Sequence, residues 1–190
     1  MRDIIFLLTL FSFGCSNSQN KIPSEEAVFR IFEKKYNSLR IRIKDSLDKG
    51  ISNVNDFDRL YTDSEKKQLD SIITDFKKNT SLTIALITFD SLMSSRDSIE
   101  DVTRIIGIRH RVNTTVGIYR SYKTMYIWND SLVNNTFLNQ YDTKEIIDSN
   151  FIPSFRREHY FKGTLEGLQN IIRTIKRERK NREFLKNNGG

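Results

Sequence analysis

Asp90 stands directly after the apolar run Leu82 to Phe89, which reads as a strand covered on both faces. In an open α/β sheet ligands gather outside the carboxyl ends of strands, so a carboxylate there is placed to hold a cation. The same reading collects Asn113 with Thr114, Asn129 with Asp130, and Asp56 with Asp58 from the segment that opens the domain. A hard cation such as calcium takes roughly six to eight oxygen ligands. Asp56, Asp90, Asn113, Asn129 and Asp130 could supply enough of them. Asp and Asn in loops also cap helices and close turns, so the set has a structural reading beside the chemical one.

Other constellations are weaker. Arg109-His110-Arg111 lacks the Gly of an Arg-His-Gly phosphatase signature and falls in the middle of the chain, which favours a solvated basic loop. Ser91 or Ser94 with the distant His159 would be a triad assembled by selection, so none is assigned. Cys-x5-Arg, Walker A and Gly-x-Gly-x-x-Gly patterns are absent. No catalytic residue is assigned.

The elements that must position these residues follow from periodicity. Between Ser24 and Asp48, Val28, Phe29, Phe32, Tyr36, Leu39, Ile43 and Leu47 recur at helical spacing, opposite Arg30, Lys34, Arg40 and Lys44. Gly50 suits the stop of this long amphipathic helix. After a polar stretch from Ile51 to Tyr61, Thr62 and Glu65 form a capping box for a helix ending near Asn79, with Leu69, Ile72, Ile73 and Phe76 inward. A second domain helix is expected over Ser98 to Ile106, and Gly107 to Thr114 as a basic loop. Val116 to Tyr119 and Met125 to Trp128 read as strands joined by a turn at Arg120 to Lys123. Thr143 is expected to cap a helix through Asp148. A last helix is expected from about Gly163, with Lys176 to Lys186 fraying into solvent. Helices alternating with apolar strands predict a three-layer α/β/α sandwich.

The 190 residues are 37% hydrophobic, 29% charged and 11% aromatic, enough for one globular domain with its own core and too apolar for disorder. A single Cys excludes an intramolecular disulfide, and two His leave little for a His-rich metal site. The net charge of +7 permits contact with anionic surfaces.

At the amino terminus, Met1-Arg2-Asp3 precedes the apolar run Ile4 to Phe13 and then Gly14-Cys15. The run is half the roughly 20 residues a membrane-spanning helix needs. It has the length and flanks of a signal peptide, and with Cys15 after Gly14 it resembles a bacterial lipoprotein signal. That resemblance implies an acyl anchor on Cys15, a flexible Ser16 to Lys21 tether, and a chain facing the periplasm or exterior. Such a place argues against nucleic acid as a partner.

From Val54 to Ile175 the order of features resembles the TPM domain. The matching elements are Val54-Asn55-Asp56, Leu60, the capped helix with Leu69, and the strand through Asp90-Ser91-Leu92. Ile99-Glu100-Asp101, Ile152-Pro153-Ser154-Phe155, Tyr160, Gly163, Leu165 and Gly167 follow in order. The family includes thylakoid lumen phosphatase-like proteins of photosystem II repair, an acetylcholine-receptor auxiliary protein and many bacterial envelope proteins. The resemblance implies an α/β/α sandwich around a small mixed sheet. It also implies one of two activities, since some members are acid phosphatases or bind calcium and others are assembly factors. This chain departs from the family pattern at Asn113-Thr114-Thr115 and at Trp128-Asn129-Asp130-Ser131-Leu132, losing a carboxylate and two glycines.

These readings divide the chain into a lipoprotein signal (1–14), a tether (15–22), an amphipathic helix (23–50), a TPM-like domain (51–176) and a basic tail (177–190). The expected function is a lipid-anchored, non-catalytic module that binds or helps assemble an envelope protein. The alternative is a cation-dependent acid phosphatase, with calcium the candidate cofactor and Asp56, Asp90 and Asp130 holding it.

Overall fold

The computed structural model describes residue 30, residues 47–89 and residues 97–188. The leader with Cys15, the tether, most of the first helix and Asp90 lie outside the described residues.

Leu47 and Asp48 are helical and Gly50, at φ 114°, ends that turn in a conformation glycine adopts without steric cost. The chain then enters β1 (Val54–Asp56), a strand too short to show any alternation in sequence. Thr62 caps α1 (Asp63–Thr80) as its spacing to Glu65 requires. Its hydroxyl accepts from the Glu65 amide at 3.3 Å, and the Glu65 carboxylate accepts from the Thr62 amide at 2.7 Å. Every residue of β2 (Ile84–Phe89) is buried.

Helix α2 (Asp97–Arg109) runs past the expected end at Ile106. Gly107 does not break it, because this glycine is where Trp128 packs: a Cβ there would lie 2.3 Å from the indole. Tertiary contact outweighs the roughly 1 kcal/mol propensity cost. The basic loop is correspondingly shorter, since Thr114 already belongs to β3 (Thr114–Tyr119). A 3-10 turn (Arg120–Tyr122) leads into β4 (Thr124–Asn129).

Beyond β4 the structure is helical. Helix α3 (Ser131–Thr136) was not expected, although Asp130 caps it by accepting from the Val133 amide. Asn139, rather than Thr143, caps α4 (Gln140–Ile146). Thr143 is buried inside that helix and donates to the Asn139 carbonyl. A π-helical turn (Ile147–Phe151) and α5 (Ile152–Phe155) follow. The last helix, α6 (Tyr160–Asn188), starts three residues before Gly163 and does not fray where fraying was expected.

The sheet has the order β1-β2-β3-β4, parallel except for β4. One face carries Ile84, Leu86, Val116, Ile118 and Ile127 against α1 and α6, whose Leu69, Ile73, Phe76, Leu168 and Ile171 are fully buried. The other carries Ile87, Phe89 and Tyr119 against Ile99, Val102 and Ile106 of α2, and against Leu47. Each such side chain contributes about 1.5–3 kcal/mol by leaving water. The two parallel crossovers step the same way across the sheet with their helices on opposite faces, so they have opposite hands. One of them departs from the right-handed rule. This departure is how a sheet wound in one direction gains a helix layer on each side. The architecture is the expected three-layer α/β/α sandwich around a mixed sheet.

Candidate functional site

The sheet has two edges rich in polar side chains, and the sequence-derived candidates are divided between them. Asp56 ends β1 level with Thr88, while Asn113 lies level with Thr83 at the start of β2. At about 3.3 Å per residue, about 16 Å of strand separates the two. Asn129 and Asp130 join Asn113, not Asp56, because β4 runs antiparallel and ends where β3 begins. Asn113 also comes before its strand, not after it. The expectation that all these residues share the carboxyl edge is therefore corrected.

At the amino edge the side chains saturate one another. Asn113 accepts from the Thr83 amide (2.8 Å) and hydroxyl (3.0 Å) and donates to Asp130 (2.6 Å). Asp130 also accepts from the Val133 amide. Asn129 accepts from the Thr114 hydroxyl and donates to the Leu138 carbonyl and to Thr143. These bonds tie β2, β3 and β4 to the cap of α3. Nearby, Arg109 pairs with Asp48 at 3.1 Å, and His110 is held below the usual histidine range by burial and by Arg109.

At the carboxyl edge Asp56 accepts from the Leu60 amide (2.9 Å), the Tyr61 amide (3.0 Å) and the Thr88 hydroxyl (2.6 Å). It thereby folds the turn that delivers Tyr61, whose buried hydroxyl bonds Thr164 of α6. Burial also pushes the Tyr61 phenol well above its ordinary pKa. Asp58 pairs with Arg120 at 2.9 Å. Asp90 lies outside the described residues. Among the described residues no three His, Cys, Asp or Glu side chains gather as metal ligands.

Beside Arg120 opens a cleft of about 510 Å³, between the β3–β4 turn and the helices after β4. Ile118 and Phe155 give it an apolar floor, and Arg120, Lys123, Arg156 and Tyr160 surround it. Lys123 and Arg156 make no ion pair among the described residues, while Lys144 holds the neighbouring Asp148. Burial and the charge of Glu158 raise the Tyr160 phenol. Arg59, Lys123 and Glu158, on the turns around this edge, all adopt positive φ without being glycine (54°, 48° and 62°). Ser81 and Arg111 do the same at the amino edge (61° and 54°), so left-handed backbone is common to the turns at both edges. The sequence signals for this cleft were a basic β-turn and the Arg156-Arg157 pair, neither of which marks a site by itself.

Comparison with known proteins agrees with this fold. The family model of the TPM domain matches residues 54–174. The N-terminal domain of a protein from P. gingivalis superposes with a TM-score of 0.57 at 17% identity, covering 64% of this chain and 80% of that one. The N-terminal domain of a protein from Corynebacterium glutamicum gives 0.51 at 12% identity, covering 66% and 81%. At these identities the likeness is one of fold. No curated protein matches.

Proposed function

The chain belongs to the TPM domain family, and from that premise we propose that it is a non-catalytic binding or assembly module. In this reading it is anchored by acyl chains on Cys15, faces the periplasm or exterior, and holds an envelope protein. The observation that supports it is the use already made of the carboxylates. Asp56 builds a turn, Asp130 caps a helix and Asp58 holds Arg120. The two edges divide them instead of converging them on one reacting atom. What the carboxyl edge offers is a cleft with an apolar floor and two cations without ion pairs, Lys123 and Arg156, against one such acid, Glu158, a balance suited to an acidic, partly apolar segment of a partner.

The test is turnover of p-nitrophenyl phosphate by the full-length chain, from acid to neutral pH, with calcium or magnesium at millimolar level. No hydrolysis above buffer is expected. Metal-dependent hydrolysis that follows the protein through purification would overturn the reading. In cells, a photo-crosslinker placed at Thr124, on the wall of the cleft, should capture an envelope protein, and Lys123→Glu should abolish that capture. The intact mass of the mature chain checks the acyl groups on Cys15.

A further inference from the structure

We propose that the outward face of α6 docks on an anionic membrane surface. Helix α6 has 29 residues, roughly 43 Å at 1.5 Å per residue. Its last buried residue is Ile175, and residues 181–188 are all exposed, yet the helix continues to Asn188. Two inward arginines brace this projecting half. Arg179 donates to the Thr80 carbonyl at 2.7 Å and Arg182 to the Thr136 carbonyl at 3.1 Å, which are the carboxyl ends of α1 and α3.

The remaining cations have no such duty. At 100° per residue, Arg173, Arg177, Lys180 and Phe184 fall in one line on the opposite side of the helix, with Lys176 beside them. Arg177 pairs with Glu178, whereas Arg173, Lys176 and Lys180 make no ion pair among the described residues. Glu178 lies towards the inward side, and Glu183, which flanks Lys176, is held by Arg179 at 3.2 Å. The helix dipole does not explain the stripe, because its effect is confined to the last turn and Arg173 lies four turns earlier. A merely solvated face does not explain Phe184, which is 65% exposed at the end of the stripe.

A row of cations ending in an exposed aromatic ring is complementary to a lipid surface. The charges meet phosphate headgroups and the ring enters the interface. No helix among the described residues is long and apolar enough to cross a membrane, so α6 lies along the surface. The stripe stands apart from the carboxyl-edge cleft and leaves that cleft available to a partner.

The test is vesicle co-sedimentation of the full chain carrying Cys15→Ser, which removes any acyl anchor. Vesicles of equal phosphatidylglycerol and phosphatidylcholine are compared with phosphatidylcholine alone. Preferential binding to the anionic vesicles is expected, weakening with added salt. Reversing Arg173, Lys176 and Lys180 to Glu should cost about 100-fold or more, at about fivefold per charge removed. Phe184→Ser should weaken binding while leaving its salt dependence unchanged. Thermal unfolding of each variant should match the parent, since all four side chains are exposed. Equal binding to both vesicle types, or binding unchanged by the triple reversal, would overturn the proposal. So would capture of polyglutamate without vesicle binding, which would assign the stripe to an acidic protein.

Discussion

The two edges of the sheet draw on the same residue types and use them oppositely. At the amino edge Thr83, Asn113, Thr114, Asn129 and Asp130 bond one another and close the ends of β2, β3 and β4. At the carboxyl edge Asp56, Asp58 and Thr88 also bond inward, but they support turns that stop short of closing. Those turns leave a cleft bordered by Lys123 and Arg156. Polar residues that satisfy each other stabilise a fold. Charged residues left without a partner around a cleft are available to something outside it.

Breaking the amino edge should therefore cost the most. Asn113→Ala removes a donor to Asp130 and the acceptor of the Thr83 amide, and leaves the Thr83 hydroxyl only the Asn113 backbone amide, so it should lower stability by about 2–4 kcal/mol. The urea midpoint reads this loss. Arg156→Ala, at the other edge, should stay within about 0.5 kcal/mol of the parent. Equal losses at both edges would erase the contrast. Asp130→Ala should cost about 1–2 kcal/mol through the cap of α3. Because it shares the Asn113 bond, the double variant should cost less than the sum of the singles.

Lys123→Gly sharpens the contrast in the other direction. Lys123 sits at φ 48° and ψ 41°, where a residue with a Cβ is held at a cost of about 1–2 kcal/mol. Glycine removes that cost but gains freedom when unfolded, so the net stabilisation should be about 0.5–1 kcal/mol. Partner capture should fall at the same time, because the cation is gone. A more stable variant shows that Lys123 is held at a cost; a variant no more stable shows that Lys123 holds no strain.

The layers of the fold were legible because core residues announce themselves by period. Leu69, Ile73 and Phe76 marked α1, and the unbroken run through Phe89 marked a strand buried on both faces. Local chemistry was legible where it was self-contained, as in the Thr62–Glu65 box. What failed depended on distant contacts. Gly107 reads as a helix stop until Trp128 is placed against it. The Lys176 to Lys186 segment reads as a fraying tail until Arg179 and Arg182 find the ends of α1 and α3. The site was the least legible, because an Asp or Asn beside a strand does not reveal which edge it faces. That depends on strand direction, and the antiparallel β4 carried Asn129 and Asp130 to the far edge.

The smallest effect concerns His110, which lies between α2 and β3 on the closed amino edge. Burial first, and then the Arg109 charge, lower its pKa in the fold, while Asp48 opposes them. Its Nε2 has no hydrogen-bond partner among the described residues. A histidine depressed in the folded state binds its proton more readily when the chain is unfolded, so acid favours unfolding. Above the ordinary value of about 6.5 both states are neutral and the imidazole costs nothing. As pH falls from there through the depressed folded value, stability is lost, and below that value the loss is complete. His110→Gln should therefore flatten the fall in melting temperature between neutral and mildly acid pH while leaving the neutral value nearly unchanged. An unaltered slope would mean that the amino edge admits a charge as easily as water does, and is less closed than its hydrogen bonds suggest.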